Sequence, residues 1–333
     1  MNNSNSFYPR LVADIGGTNA RFSIEISPYE YEHTKVLNCI DYKSLADAVI
    51  AYLKDLSLTA KIEYACMAVP GPIFEDELFM VNSPWHRELI SNIEKTLKLK
   101  KIIFINDFHA LALAIPNIKQ DKLVKLGGTN EINYNKPMAI IGPGTGLGMA
   151  ALIKHRSGDY IAISAEGGRA SFPPATDEEI DLWKFASSRF QHVSAERFLC
   201  GNGLQFIYEG LCKFSNRTIY KIPSPAEIVE LGSKRLDYVC TRTLEIFCRM
   251  LGTVTSNFVV SINAFGGVYI AGGIVPKMLD FFINSNFRLR FESKGRFHSH
   301  LAQIPIHVII DEFPAFLGTS YALNTYLTHN YIP

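Results

Sequence analysis

Two short glycine-rich stretches of this chain have the residue types that could hold a polyphosphate. Gly16-Gly17-Thr18-Asn19 follows an apolar run at 11–15, and Gly142-Pro143-Gly144-Thr145-Gly146 follows another at 138–141. A turn of small residues leaves backbone N–H groups open to an anion, because no Cβ blocks close approach. Asp14 stands near the end of the run that enters the first turn. A carboxylate beside polyphosphate in low dielectric is repelled unless a cation lies between them. Asp14 is therefore a candidate on the Mg2+ side, acting through water. A tight β-hairpin, needing Gly and Asn only for positive φ, explains the same letters with no ligand at all. The chain holds its own control. Gly127-Gly128-Thr129-Asn130 repeats the four letters without an Asp at the matching place, and polar residues follow, as in a plain loop.

Such turns need strands to deliver them. Residues 11–15 and 21–26 read as strands joined by the first turn, and 34–39 as a third strand. A helix is expected over 44–56, and a strand over 62–69 ending at Pro70-Gly71-Pro72. Another strand is expected over 101–105, and a helix over 107–115 that stops at Pro116. The first part thus reads β-β-β-α-β-α-β-α. The pattern restarts with strands at 138–141 and 147–153 around the second turn. Laying Gly17-Thr18 over Gly144-Thr145 superimposes two strand–turn–strand units, which indicates one duplicated domain rather than a short-period solenoid. Helices are expected over 177–190, 195–199, 225–231, 235–263 and 276–282, with strands over 268–271 and 305–310 and a last helix over 315–327. This alternation is α/β. The expected division is a smaller α/β domain of residues 1–117 plus 313–333 and a larger one of 118–312. Small-molecule sites favour the cleft between two such domains.

The chain of 333 residues is 47% hydrophobic and 20% charged, with a formal net charge of +1. It has no concentrated basic stripe for nucleic acid and no charge bias toward anionic membrane. The six cysteines are scattered without a C-x-x-C pair, which suits reduced thiols better than disulfides or zinc. The polar start of the chain lacks a signal-peptide core, and no apolar run approaches a membrane span, so a cytoplasmic location is expected. Two nucleotide motifs are excluded. G-x-x-x-x-G-K-[ST] does not occur, and Gly142-Pro143-Gly144 has Leu147 at its sixth position and leads into a strand, where a dinucleotide fingerprint needs a helix.

Six segments in order are similar to the bacterial glucokinase family outside the repressor-like (ROK) kinases, within the hexokinase–actin–heat-shock superfamily. They are Asp14 to Arg21, Ile105-Asn106-Asp107-Phe108, Gly142 to Gly148, Glu166-Gly167-Gly168, His192 to Arg197, and Ala271 to Pro276. Lys294-Gly295-Arg296-Phe297 also resembles a family segment, without a chemical role to assign. The order holds from about residue 10 to about residue 325. The resemblance implies two ribonuclease-H-like (actin-like ATPase) domains closing over ATP, Mg2+ and a hexose, with phosphoryl transfer to the sugar C6 hydroxyl. It also implies a homodimer.

The residue types fit that reaction. Phosphoryl transfer is mostly positioning and charge stabilisation, but the acceptor hydroxyl must still lose its proton. Asp107 ends a buried strand and opens a helix, so it is the expected general base. Asn106 or Asp107 could equally be only the cap of that helix. By resemblance Asn106, Asp107, Glu166 and Glu196 hold the hexose hydroxyls, and Gly16, Gly17, Thr18, Asn19, Gly144, Thr145, Gly146, Gly272 and Gly273 surround the nucleotide. Glu196 beside a capping Ser194 could instead only favour a helix start, and Gly272-Gly273 could be only a strand-to-helix turn before Pro276. Asn82 and Trp85 are further candidates for the cleft wall. One position departs from the family's Glu-Gly-Gly-His: Arg169 replaces the histidine. Arginine has no acceptor and a permanent charge. Pointing inward it would pair with Glu166 or Glu196; pointing outward it would leave the sugar one contact short. A kinase for another hexose or an amino-sugar, and a non-catalytic sugar-binding regulator on the same fold, are the alternatives.

Overall fold

The computed structural model describes residues 7–56, 61–80, 83–129, 131–215, 217–218 and 220–333. Asn82 and Asn130 lie outside them. The chain forms two compact units, one of residues up to Lys119 with Ser157–Ala162 and Asp311–Pro333, the other of Gln120–Arg156 and Ile163–Ile310. The expected boundaries left 157–162 with the larger part. They cluster with the first unit, where the Tyr160 N–H donates to the Tyr321 hydroxyl (2.7 Å) and the two rings meet edge to face.

The first unit begins with β1 (Arg10–Ile15), β2 (Asn19–Ser27) and β3 (Glu30–Asn38), followed by α1 (Leu45–Lys54) and β4 (Tyr64–Val69). Three very short strands, β5 (Ile73–Phe74), β6 (Glu77–Phe79) and β7 (Arg87–Leu89), make a separate small sheet. Runs of two or three residues carry no periodicity, which is why the sequence gives no sign of them. Next come α2 (Ile90–Leu97), β8 (Lys101–Asn106) and α3 (Asp107–Ala114). The main sheet has the order β3-β2-β1-β4-β8. β2 is antiparallel to β1, whereas β4 and β8 run parallel to it.

The second unit repeats that plan. Its sheet has the strands β9 (Leu123–Lys125), β10 (Met138–Pro143), β11 (Leu147–Lys154), β12 (Tyr160–Ala165, whose first three residues cluster with the first unit), β13 (Gly267–Ile270) and β14 (Ile306–Ile309), in the order β12-β11-β10-β13-β14-β9. Again the second strand of the hairpin is antiparallel, and the next two run parallel. Its helices are α4 (Asp177–Ser187), α5 (Gly201–Phe214), α6 (Pro225–Ser233), α7 (Tyr238–Ile262), α8 (Leu279–Ile283), α9 (Phe287–Glu292) and α10 (His298–Gln303). The helix expected at 195–199 is only a 3-10 turn, Ala195–Arg197, and the true helix α5 follows it. Three glycines hide α5 from propensity, yet they are what packing requires. A Cβ on Gly203 would stand 2.2 Å from the Phe198 carbonyl oxygen, and one on Gly210 would be 2.6 Å from Leu182.

The chain ends in α11 (Pro314–His329), which returns to the first unit and packs on α3, β1 and β4. Each unit has its own apolar core, and the six cysteines are free and buried. Trp85 is part of the first core, 3% exposed with its ring N–H on the Tyr42 carbonyl. It is a packing residue rather than part of a cleft wall. No helix among the described residues is long and apolar enough to cross a membrane.

Candidate active site

In the first unit β1 and β2 meet at Ile15 and Ala20, and the intervening turn is closed by the Gly16 N–H on the Asn19 carbonyl (2.8 Å). The Cys39 N–H holds the Thr18 carbonyl from behind (2.8 Å). None of Gly16, Gly17 and Asn19 adopts positive φ. The explanation that this is a hairpin needing glycine for backbone freedom therefore fails. What remains is space: no described residue accepts a hydrogen bond from the Gly17 or Thr18 N–H, and Thr18 is exposed. The loop at Gly127-Gly128 behaves in the opposite way. Both glycines have positive φ, and a Cβ on Gly128 would stand 2.1 Å from the Ile304 carbonyl oxygen. That copy is structural, as its missing aspartate implies.

Asp14 faces Arg21 directly across the hairpin, and the Arg21 Nη1 donates to Asp14 Oδ2 at 3.1 Å. Burial raises the Asp14 carboxyl above its ordinary value, against the pull of Arg21. Arg21 had no role in the motif as read. Its signal was turn length, since a short hairpin fixes that Asp14 pairs with the residue seven positions on.

β8 and α3 join at Asn106-Asp107. Asn106 is the cap: its Oδ1 accepts from the N–H groups of Phe108 (3.0 Å) and His109 (3.1 Å). Asp107 shares the Phe108 N–H with it through one oxygen only. Its Oδ1 takes the Phe108 N–H (2.8 Å) and the Asn106 amide (2.9 Å), and neither donor engages Oδ2. Burial lifts the Asp107 carboxyl to about 6; the Phe108 N–H opposes this, and the Asp14 charge adds to it. A carboxyl poised there is ionised at neutral pH yet basic enough to accept a proton.

In the second unit, β10 and β11 meet at Pro143 and Leu147 around Gly144-Thr145-Gly146. The Gly144 N–H donates to the Gly146 carbonyl (2.8 Å), and no described residue accepts from Thr145 or Gly146. Gly272 has φ +81° and sits on the Pro143 carbonyl, where a Cβ would approach to 2.4 Å. Gly273 and Gly144 differ. A Cβ on Gly273 would meet nothing within 4 Å, and one on Gly144 only the Gly273 N–H nitrogen at 3.9 Å.

The carboxylates Glu166 and Glu196 lie on short turns beside the start of β11. Glu166 precedes the 3-10 turn Gly167–Arg169, and a Cβ on Gly168 would stand 2.2 Å from the Leu147 carbonyl oxygen. Gly168 is there for that contact, whereas a Cβ on Gly167 would stand 2.5 Å from the Met149 Sδ. Arg169 matches neither expected arrangement in full: its Nε donates to Glu166 Oε2 at 3.0 Å, as the inward one implied, but both side chains are largely exposed. Glu196 lies in the 3-10 turn Ala195–Arg197. Ser194 makes no side-chain cap, and Glu196 Oε2 instead accepts the Leu147 N–H at 2.9 Å.

The family model named Glucokinase matches residues 11–326. The chain is 44% identical over 325 residues to a glucokinase of Neisseria meningitidis serogroup C, covering 98% of each. It is 44% identical over 332 residues to one of Helicobacter pylori, again covering 98% of each. The chain belongs to the glucokinase family. A crystal structure of a glucokinase from an Antarctic psychrotroph superimposes with a TM-score of 0.84 at 30% identity, covering 96% of this chain and all of that one. A Balamuthia mandrillaris glucokinase in complex with glucose shares the fold, with a TM-score of 0.78 at 18% identity. The enzyme phosphorylates glucose, and Arg169 in place of the expected histidine does not remove it from the family. The alternative of a non-catalytic regulator falls with that finding.

Proposed function

We propose that this glucokinase transfers the γ-phosphoryl group of ATP to the C6 hydroxyl of glucose, with Asp107 as general base. The observation that carries the reading is the Asp107 carboxyl, whose Oδ2 takes neither the Phe108 N–H nor the Asn106 amide and which burial lifts to about 6. Its Oδ2 accepts the hydroxyl proton as the new O–P bond forms. Such a base supplies about 10²–10⁴-fold in rate. Asn106, Glu166 and Glu196 orient the hexose hydroxyls. The two units are read as ribonuclease-H-like domains of the actin-like ATPase type, the first carrying the base Asp107 and the second the carboxylates Glu166 and Glu196. The open N–H groups of Gly17, Thr18, Thr145 and Gly146 suit phosphate oxygens.

Mg2+ fits this chain in the manner usual for kinases. Among the described residues no three His, Cys, Asp or Glu side chains cluster to hold a metal. Asp14 would hold the ion through water, with the nucleotide phosphates completing the shell. When bound, Mg2+ neutralises phosphate charge. Arg21 limits the repulsion that Asp14 itself would add.

Gly144 and Gly273 need to be glycine for neither φ nor internal packing. Close approach of the nucleotide is what they permit. Gly273→Ala should leave the unfolding free energy in urea within about 0.5 kcal/mol of the unmodified chain, while raising KM for ATP several-fold. An equal loss of stability would show the glycine to be structural.

The position of transfer is tested by phosphorus-31 NMR of the product. Coupling of the phosphate to the two C6 protons is expected, with no turnover of 6-deoxyglucose. A product phosphorylated elsewhere on the ring contradicts the proposed placement of the hydroxyl against Asp107.

A further inference from the structure

The second glycine turn is clasped at both ends by one segment. At its exit the Leu147 N–H donates to Glu196 Oε2 (2.9 Å), and at its entry the Gly144 carbonyl accepts the Gly201 N–H (2.9 Å). The carboxylate lies so close over Gly146 that a Cβ there would stand 2.5 Å from Glu196 Oε2. That position is glycine because Glu196 occupies the space. The same segment is tied to the Glu166 turn, through the Ala195 N–H on the Ala170 carbonyl and the Phe172 N–H on the Val193 carbonyl (both 2.9 Å). The Glu166 turn in turn rests on the Leu147 carbonyl. Leu147 is thus held by its N–H and covered at its C=O by the two carboxylate-bearing turns.

We propose that Glu196 is a positioning residue that couples hexose binding to the second phosphate turn, one carboxylate oxygen fastening the turn while the other takes a sugar hydroxyl. The inference rests on the proposed sugar role of Glu196. The physical basis is that Oε2 makes a charge-assisted bond to a backbone donor beside the turn. Oε1 accepts no hydrogen bond among the described residues. A hydroxyl donating to Oε1 fixes the carboxylate plane, and with it the Leu147 N–H and the turn. Ordering of the turn by sugar lowers the cost of phosphate binding, and the effect is reciprocal.

The test is calorimetric titration of the full chain with a non-hydrolysable ATP analogue and Mg2+, with and without saturating glucose. The unmodified protein should bind the analogue about tenfold more tightly with glucose, within the usual range of such coupling. Glu196→Ala should bring this ratio to near one. Gly146→Ala, whose methyl displaces the carboxylate, should do the same, and the double variant should be no worse than either alone. Glucose affinity separates the two layers of the argument. A Glu196→Ala chain that binds glucose normally overturns the sugar role beneath the inference. One that loses glucose affinity but keeps the tenfold ratio overturns the coupling alone, as does an unmodified chain with a ratio of one.

Discussion

Asp107→Asn should lower kcat for glucose phosphorylation by about 10²–10⁴-fold while leaving the fold at least as stable as before. The two halves of that expectation share one cause. Burial raises the Asp107 carboxyl from 3.8 to about 6, so the native state holds its proton more tightly than the unfolded chain does. Stability from this group is fully present below pH 4 and is lost as pH rises through 6. At neutral pH the ionised carboxylate therefore costs at most about 3 kcal/mol. Asparagine removes that cost, and its carbonyl can still accept the Phe108 N–H. The melting temperatures of variant and parent should nearly coincide at pH 4 and separate, in favour of the variant, up to a plateau above pH 6. Thermal unfolding across that range, beside an ADP-coupled assay, checks both halves. A variant that loses stability together with activity would mark Asp107 as a structural residue.

Gly318→Ala should destabilise the protein by about 3 kcal/mol or more, at the upper end of the cost of overpacking. α11 crosses α3 so closely that a Cβ on Gly318 would stand 1.7 Å from the Ala110 carbonyl oxygen and 2.5 Å from its carbon. The obstruction is backbone, which cannot rotate aside, so one helix must move. α3 carries Asp107 at its first turn, and a displacement near 1 Å at a reacting group can cost about 10²-fold in rate. Urea unfolding should show a lower midpoint with an unchanged slope, and residual activity should fall further than stability alone explains. An unfolding free energy within about 0.5 kcal/mol of the parent would mean that the helices separate freely and that their contact does not position the base.

Much of the fold was legible because the duplicated hairpins are long, apolar and bounded by glycine. β1, β2, β10 and β11 fall within two residues of their expected limits. Elements set by packing were not legible. α5 has a glycine-laden sequence of low helix propensity and exists because its glycines fit against Phe198, Leu182 and Phe185. The site was legible as residue types, not as partners. Asp14, Asn106, Asp107, Glu166 and Glu196 stood out by position, but Arg21 on Asp14 and Leu147 on Glu196 are contacts across a turn and between distant segments. Local readings failed for the same reason. Ser194 caps nothing, and the first turn never uses positive φ, whereas the cap expected at Asn106 is present.

The central claim, that Asp107 accepts the hydroxyl proton, is tested most directly by the pH dependence of kcat/KM for glucose, which reports the free enzyme's essential base. The account predicts a limb that falls with unit slope below about pH 6, matching the raised Asp107 carboxyl, and predicts that this limb vanishes from the residual activity of Asp107→Asn. A profile flat down to pH 5, or a limb that persists unchanged in the variant, would contradict it.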